Sequence, residues 1–315
     1  MTLTVIKPGL QTTIQAGPRV GMRHLGVPAS GAADALSLAL GNRLVGNNLL
    51  APAMEATMAG VSVRFDSDAS FALTGAQASA DLNGRELAFH TTLAARAGDE
   101  LHVGPARTGA RVYIAVAGGF VVDEILGSAS TYLPAALGGH EGRALREGDR
   151  IVVGQSSGMP TEHETPAEFR PPVSRTWALR ACRASEFALL DDSGKDRLFD
   201  TNYTIGQRAD RMGMQLEGAS FNVSSQGRMT SAPVFPGTIQ CPEDGRLFIL
   251  SADAQTTGGY ARVAQVARAD RHMLGQLRPG DHVRLLWRDA RSATDELRAK
   301  HDYWREWLPD IAQVV

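Results

Sequence analysis

The sequence predicts a mainly β protein, with two barrel- or sandwich-like domains and a few helices. Three observations carry that expectation. Short runs of β-branched or alternating residues recur, each bounded by Gly, Pro, Asn or Asp. The 33 glycines and 15 prolines supply the punctuation that many tight turns need. A chain of 315 residues exceeds one ordinary core, and one polar, proline-rich stretch, "QSSGMPTEHETPAEFRPPVSR", divides it. The expected organisation is an N-terminal domain over 1–155, a linker over 156–174, a C-terminal domain over 175–290 and a closing amphipathic helix over 291–315.

In chain order, strands are expected at 3–6, 61–65, 70–75, 86–90, 99–104, 110–119 and 147–154. Asn83-Gly84 is a hairpin turn signal between two of them. One helix interrupts, "SGAADALSLALGNRLVGN", with apolar residues at 36, 39, 40 and 44, Ser30 as N-cap, Asp34 in the first turn and Gly46 as the stop. The second half opens with a strand at 176–182, then a helix near 185–199, strands at 247–252 and 261–268, a short helix from Ala269 to Leu277 and a strand at 281–287. "ARSATDELRAKHDYWREWL" closes the chain as a charged amphipathic helix. Two phrases, "REGDRIVVG" (146–154) and "RPGDHVRLL" (278–286), echo one another near the end of each half.

Composition excludes several classes. A formal net charge of −2 offers no field to steer the chain onto nucleic acid or an anionic membrane. No window approaches the roughly 18 apolar residues of a membrane-spanning helix, and the N-terminus lacks a signal-peptide layout. Cys182 and Cys241 stand alone, without a CxxC pair, so the cytoplasm is the expected location. The eight histidines form no HxH or HExxH, and no metal site is expected. There is no GxxxxGK[ST], GxSxG or GxGxxG. Lys195 lies among Asp191, Asp192, Asp196 and Asp200, a setting that holds an amine protonated.

What remains is polar and glycine-containing. Gln-Thr-Thr occurs twice, at 11–13 and 255–257. The stretch 9–34 carries Gln11, Thr12, Thr13, Gln15, Arg19, Arg23, His24, Ser30 and Asp34, groups suited to binding a carboxylate, carbamate or lactam. The alternative is a solvated strand face with turn glycines. "QTTGGY" (255–260) follows its hydroxyls with Gly258 and Gly259, which allow close backbone approach to a ligand, or else make a tight turn. Asp210-Arg211, taken alone, reads as a surface charge pair.

In order, "GLQTTIQ…GPRVGMRHLGVPASGAAD…GNRLVGN", "GSASTYLPAALGGHEGRALREGD" and "DRMGMQLEG…GTIQCPEDGRLFILSADAQTTGGYARVA…LRPGDHVRL" closely resemble the biotin-dependent carboxyltransferase family. That family includes the C component of 5-oxoprolinase, allophanate hydrolase subunit 2 and the carboxyltransferase module of urea carboxylase. The resemblance implies cyclophilin-like β-barrels and a partner B component working together with an A component. It also implies opening of 5-oxoproline to glutamate with ATP used by the complex, on this chain or a partner. No Met-Lys biotin-attachment motif occurs, so biotin is expected not to be attached to this chain. Departures are also visible. Ala16 and Met22 stand where the family commonly has Asp and Tyr, Met214 and Gln215 replace Tyr and Arg, and Ala261 replaces Pro.

On that resemblance the expected catalytic residues are His24, Asp34, Arg211 and Tyr260, with Asp34 or His24 as proton carrier. Gln11, Thr13, Gln15, Arg19, Ser30, Gln255, Thr256, Thr257, Gly258 and Gly259 would bind substrate, and Arg19 and Arg211 would hold its carboxylate. Each Gln-Thr-Thr would be a polar loop facing a shared cleft. The alternatives are a carboxyltransferase acting on urea-like amides through carboxybiotin on a separate carrier, and a regulatory binding protein without chemistry.

Overall fold

Thr2–Lys7 shows how the first half folds: Leu3 and Val5 alternate inward while Thr2 and Thr4 face outward. The computed structural model describes residues 1–156, 163–224 and 229–315, and it divides into two units. Unit one comprises 1–20, 30–173 and 304–314. Unit two comprises 21–29, 174–303 and Val315.

Among the described residues, unit one contains two sheets. The seven-stranded sheet runs, in spatial order, Phe120–Val121, Arg150–Val153, Thr2–Lys7, Ser62–Phe65, Glu100–Val103, Ala80–Leu82 and Arg85–Glu86. The five-stranded sheet runs Gln11–Gln15, Ala53–Thr57, Thr108–Val116, Ala69–Gln77 and Thr92–Ala95. Their inner faces share one core that includes Leu3, Val63 and Leu101 from the first and Ile14, Phe71 and Ile114 from the second. The predicted hairpin is present: Asn83 and Gly84 both have positive φ, 53° and 82°, as a two-residue turn of that hand requires. Residues 86–90, expected as a strand, leave the sheet after Glu86 and turn at His90, whose φ is 62°.

The helix of unit one spans Ala35–Leu44 and packs Leu38 and Leu44 against Ala72, Tyr113 and Ala115 of the five-stranded sheet. Its cap differs from expectation. Asp34, not Ser30, takes the N-cap position and accepts from Ser37 N at 3.0 Å. Gly46, at φ 73°, ends it as predicted, donating to Arg43 O.

Unit two is built on a closed seven-stranded barrel. In spatial order its strands are Thr176–Arg183, Ala261–Val266, Thr238–Cys241, Leu247–Leu250, Gly213–Glu217, Asn202–Ala209 and His282–Trp287. The first and last pair in parallel, Trp177 opposite Val283, which closes the ring and leaves those strands no open edge. The helix expected near 185–199 is shorter, Asp192–Asp200; the one expected over 269–277 is a 3₁₀ segment of the same length, Arg268–Gln276; and the closing helix is Ala290–Trp304. No helix among the described residues is long and apolar enough to cross a membrane.

The echoed Arg-x-Gly-Asp phrases make the same turn. Asp149 accepts from Arg146 N at 2.7 Å and Asp281 from Arg278 N at 3.3 Å. Gly148 and Gly280 share a φ of 85°, and their amides donate to Val5 O and Ile205 O at 2.8 Å. Each turn feeds a strand, Arg150–Val153 or His282–Trp287.

Of the stretch expected as a linker, 157–162 lie outside the described residues. Residues 163–173 are tied into unit one: Thr165 N donates to His90 O at 2.9 Å, and the Phe169 ring lies 5.5 Å from that of Trp304. His90 is held down to a pKa of about 4, first by burial and then by the Arg170 charge. Its folded value is thus below the unfolded 6.5. Between the two values the unfolded chain binds the proton and the folded chain does not, so stability falls as pH drops from about 6.5 towards 4, by up to about 3 kcal/mol. His90→Asn, which tolerates the positive φ, should lose less stability over that range when urea unfolding is compared at pH 7 and pH 4. Parallel profiles for the two proteins would exclude this origin.

Candidate functional site

The loop that leaves Leu247–Leu250 would be poorly ordered if only its polar side chains faced water. It is instead locked to the turn at 211–212. Ser251 N donates to Met212 O at 3.0 Å and Asp253 N to Arg211 O at 2.7 Å. The Arg211 guanidinium closes the lock, donating from Nε to Asp253 Oδ2 at 2.7 Å and from Nη2 to Oδ1 at 2.9 Å. Both side chains are buried, at 5% and 2% exposure, so this is an internal clamp. The role expected of Arg211, binding a substrate carboxylate, gives way to holding the loop that carries Gln255 to Tyr260.

Beyond the clamp, Thr257–Gly258 pairs antiparallel with Ala232–Pro233. Gly258 lets the Gln240 amide lie against the hairpin backbone: a Cβ there would lie 2.5 Å from Gln240 Nε2 and would push that side chain aside. Gln240 is 2% exposed; its Oε1 accepts from Gln255 Nε2 at 3.4 Å, while its buried Nε2 has no partner among the described residues. Thr256 is buried and Thr257 exposed. Two pockets open beside this hairpin. One, of about 630 Å³, is lined by Thr257, Gly258, Gly259, Tyr260, Cys241 and Glu243 among others. The second, of about 710 Å³, is lined by Gln240, Gln255, Tyr260, Arg208, Phe248 and Met212 among others. Tyr260, 53% exposed, borders both.

Amides, a phenol and hydroxyls beside an apolar floor suit the recognition of a small planar amide or carboxylate. They do not make a nucleophile. Burial pushes the Cys241 thiol up to about 11, so it stays protonated near neutrality. Among the described residues no group of three His, Cys, Asp or Glu is placed to hold a metal ion.

His24 belongs to unit two with segment 21–29. It is exposed, in the 3₁₀ turn Arg23–Leu25, with Nδ1 2.9 Å from Gly21 O. Its neighbour Arg23 ties the segment to the hairpin, donating from Nη2 to Val234 O and, at 3.5 Å, to Thr256 O.

The other expected residues lie in unit one. Gln11, Thr13 and Gln15 are not in a loop: they form the strand Gln11–Gln15, with Thr13 and Gln15 buried. Gln15 Nε2 donates to Thr13 Oγ1 at 3.0 Å and to Thr131 O at 3.1 Å. The first Gln-Thr-Thr is therefore interior strand, and the expectation of two matching polar loops does not hold for it. Arg19 is fully buried and donates to Ile125 O and Ser130 O, both at 2.9 Å. It braces 125–130 instead of facing a cleft. Ser30 is buried at a φ of 51°, its Oγ without a partner among the described residues.

Asp34, expected as a proton carrier, accepts from Ser37 through both oxygens, at 3.0 Å and 2.5 Å. Its backbone N donates to Tyr113 Oη at 2.8 Å, and Tyr113 donates to Glu55 Oε2 at 2.7 Å. Arg111 Nε lies 3.3 Å from Glu55 Oε1. Burial first, then the Glu55 and Asp34 charges, pushes the Tyr113 phenol far up. This buried network fastens the helix start to the sheet. Sequence reasoning missed Glu55, Arg111, Tyr113, Asp253 and Gln240. Their partners are distant in sequence, and no local pattern marks them.

Residues 25–287 match the model of the carboxyltransferase domain, subdomain A and B. The chain belongs to this carboxyltransferase family. It is 34% identical over 305 residues to the C component of 5-oxoprolinase from Escherichia coli (strain K12), covering 96% of each chain. It is 32% identical over 306 residues to the protein of that name from Haemophilus influenzae, covering 97% of this chain and 96% of that one. Urea amidolyase of Saccharomyces cerevisiae is 30% identical over 302 residues, but the match takes in only 16% of its length. Among solved structures, Kluyveromyces lactis urea carboxylase superposes with a TM-score of 0.90 at 28% identity, covering 96% of this chain and 29% of that one. The fold is thus that of a carboxyltransferase module in a much larger enzyme. Family motifs also sit in structural places: Met214, where the family pattern has Tyr, is 2% exposed inside the barrel.

Proposed function

We propose that this chain is the C component of an ATP-dependent 5-oxoprolinase-type hydrolase. Together with the A and B components it would add water across the lactam C–N bond of 5-oxoproline to give glutamate. One observation carries the reading: the match to the C component of 5-oxoprolinase extends over 96% of both chains, so the two are coextensive. The pockets beside Tyr260 support it. Gln240, Gln255 and the Tyr260 phenol present donors and acceptors to a planar amide, and Phe248 and Met212 offer apolar contact to a small ring. ATP enters as a substrate of the complex, bound on a partner.

A second reading rests on the TM-score of 0.90 to urea carboxylase: transfer of a carboxyl group from carboxybiotin to a urea-like amide. Biotin would then arrive on a separate carrier, because Lys7, Lys195 and Lys300 do not follow Met, and Lys195 donates to Asp192 at 3.0 Å. Reconstitution separates the two. Mixed with the A and B components of the same organism, 5-oxoproline and ATP, this chain should be required for glutamate release. Glutamate formed equally without it would remove the first reading.

A further inference from the structure

The two arginines expected to hold a substrate carboxylate are both engaged within the fold, Arg211 with Asp253 and Arg19 with the backbone oxygens of Ile125 and Ser130. A lactam that carries an acid needs another cation. The pocket of about 710 Å³ is lined by two, Arg208 and Arg246. Arg246 is paired inside its own turn, donating from Nε to Asp244 Oδ2 at 2.8 Å. Asp210, the other acid on the lining, is likewise held by its turn, its Oδ1 accepting from Met212 N at 2.7 Å and from Gly213 N at 3.0 Å. Arg208 differs from these. It is exposed, and among the described residues it has no hydrogen-bond, ion-pair or ring partner.

The barrel sets its position. Four strands adjacent in space, Asn202–Ala209, Gly213–Glu217, Leu247–Leu250 and Thr238–Cys241, form one stretch of wall. Gly213 lies opposite Leu250 and Gln240 opposite Phe248, and all four line the pocket. Met214, Ile249 and Ile239 alternate onto the other face. The strand Asn202–Ala209 shifts register between Ile205 and Ala209. That bulge leaves Gln207 and Arg208 both exposed, where regular alternation would send one of them to the opposite face. Arg208 therefore stands on the strand at one side of the pocket. Gln240, whose Oε1 accepts from Gln255, stands three strands away, with Phe248 between them.

Neighbouring strands lie about 4.8 Å apart, so roughly 14 Å of wall separates the two backbones. A small ring laid on Phe248 and Leu250 then directs an amide towards Gln240 and Gln255 and an acid towards Arg208, whose long stem spans the remaining gap. The guanidinium fork matches the paired oxygens of a carboxylate. We propose that Arg208 binds the substrate carboxylate and selects an acid-bearing lactam over a neutral amide such as urea. The assignment rests on the 5-oxoprolinase reading and names the group that would tell its substrate from the amides of the second reading. Arg208 acts by hydrogen bonds and charge alone, with no covalent step.

The test uses the complete hydrolase: this chain with the A and B components, ATP and 5-oxoproline. Arg208→Gln should raise KM for 5-oxoproline by about 10- to 100-fold, the loss expected for a charge-assisted pair, with kcat within about 2-fold of wild type. Arg208→Lys keeps the charge without the fork, so its KM should fall between the two. Both variants change an exposed side chain without partners and should melt within about 2 °C of wild type. An unchanged KM in Arg208→Gln overturns the assignment while leaving the lactam reading in place. So does a variant whose kcat falls at constant KM, or one that melts well below wild type, because that marks a structural arginine. A wild-type mixture that releases no glutamate removes the lactam reading and the assignment with it. The two failures are thus read in different proteins, one in the variant and the other in wild type.

Discussion

Arg211→Ala should destabilise the C-terminal unit by about 3–5 kcal/mol, because it strands the Asp253 carboxylate, 2% exposed, without its partner. Two charge-assisted bonds, at 2.7 Å and 2.9 Å, are lost at once. Melting should drop on the order of 10 °C. Asp253→Ala removes the same two bonds and should also destabilise the unit. The double variant should cost clearly less than the sum of the two, since the bonds between them can be lost only once. At temperatures where Arg211→Ala remains folded, its KM for substrate in the assembled hydrolase should rise little. A variant that melts like wild type but loses substrate affinity would return Arg211 to the substrate, the role its family motif suggests.

The second large effect is expected at Tyr260. The side chain is 53% exposed and borders both pockets, so its loss should hardly affect folding; surface substitutions of this kind usually stay within about 0.5 kcal/mol. In the reconstituted hydrolase Tyr260→Ala should lower kcat/KM by roughly 10- to 100-fold, the range of one lost polar contact with its packing. Tyr260→Phe keeps the ring and removes the hydroxyl, so its position between wild type and Ala divides the two contributions. Size-exclusion chromatography of each variant with the A and B components checks that assembly is intact. Unchanged kinetics for Tyr260→Ala in an intact complex would move the site away from this hairpin.

Much of the fold was legible because it is local. Asn83-Gly84 fixed a hairpin, Gly46 ended a helix, and the two Arg-x-Gly-Asp phrases proved to be one turn used twice. The strand Gln11–Gln15 was not legible as interior, since its polar residues look solvated until Thr131, 116 residues after Gln15, supplies the acceptor. Of the segment "QTTGGY", Gln255, Thr257, Gly258, Gly259 and Tyr260 border pockets, whereas Arg211, Arg19 and Asp34 are taken up by partners that only the folded chain reveals: Asp253, the 125–130 backbone and Ser37. Ser30 lost the cap to Asp34 because the positive φ at Ser30 and Gly31 carries the chain on to Asp34 before the first helical turn begins. A sequence shows which side chains can hydrogen-bond; it does not show which ones are already satisfied.

The most direct measurement is glutamate release from 5-oxoproline and ATP by this chain with the A and B components, each omitted in turn. A parallel arm holds urea, bicarbonate, ATP and a biotin carboxylase with its carrier. Glutamate is expected only when all three chains are present, with no carboxylated product in the urea arm. Carboxylation of urea that requires this chain, with no glutamate from the complete mixture, would contradict the hydrolase assignment.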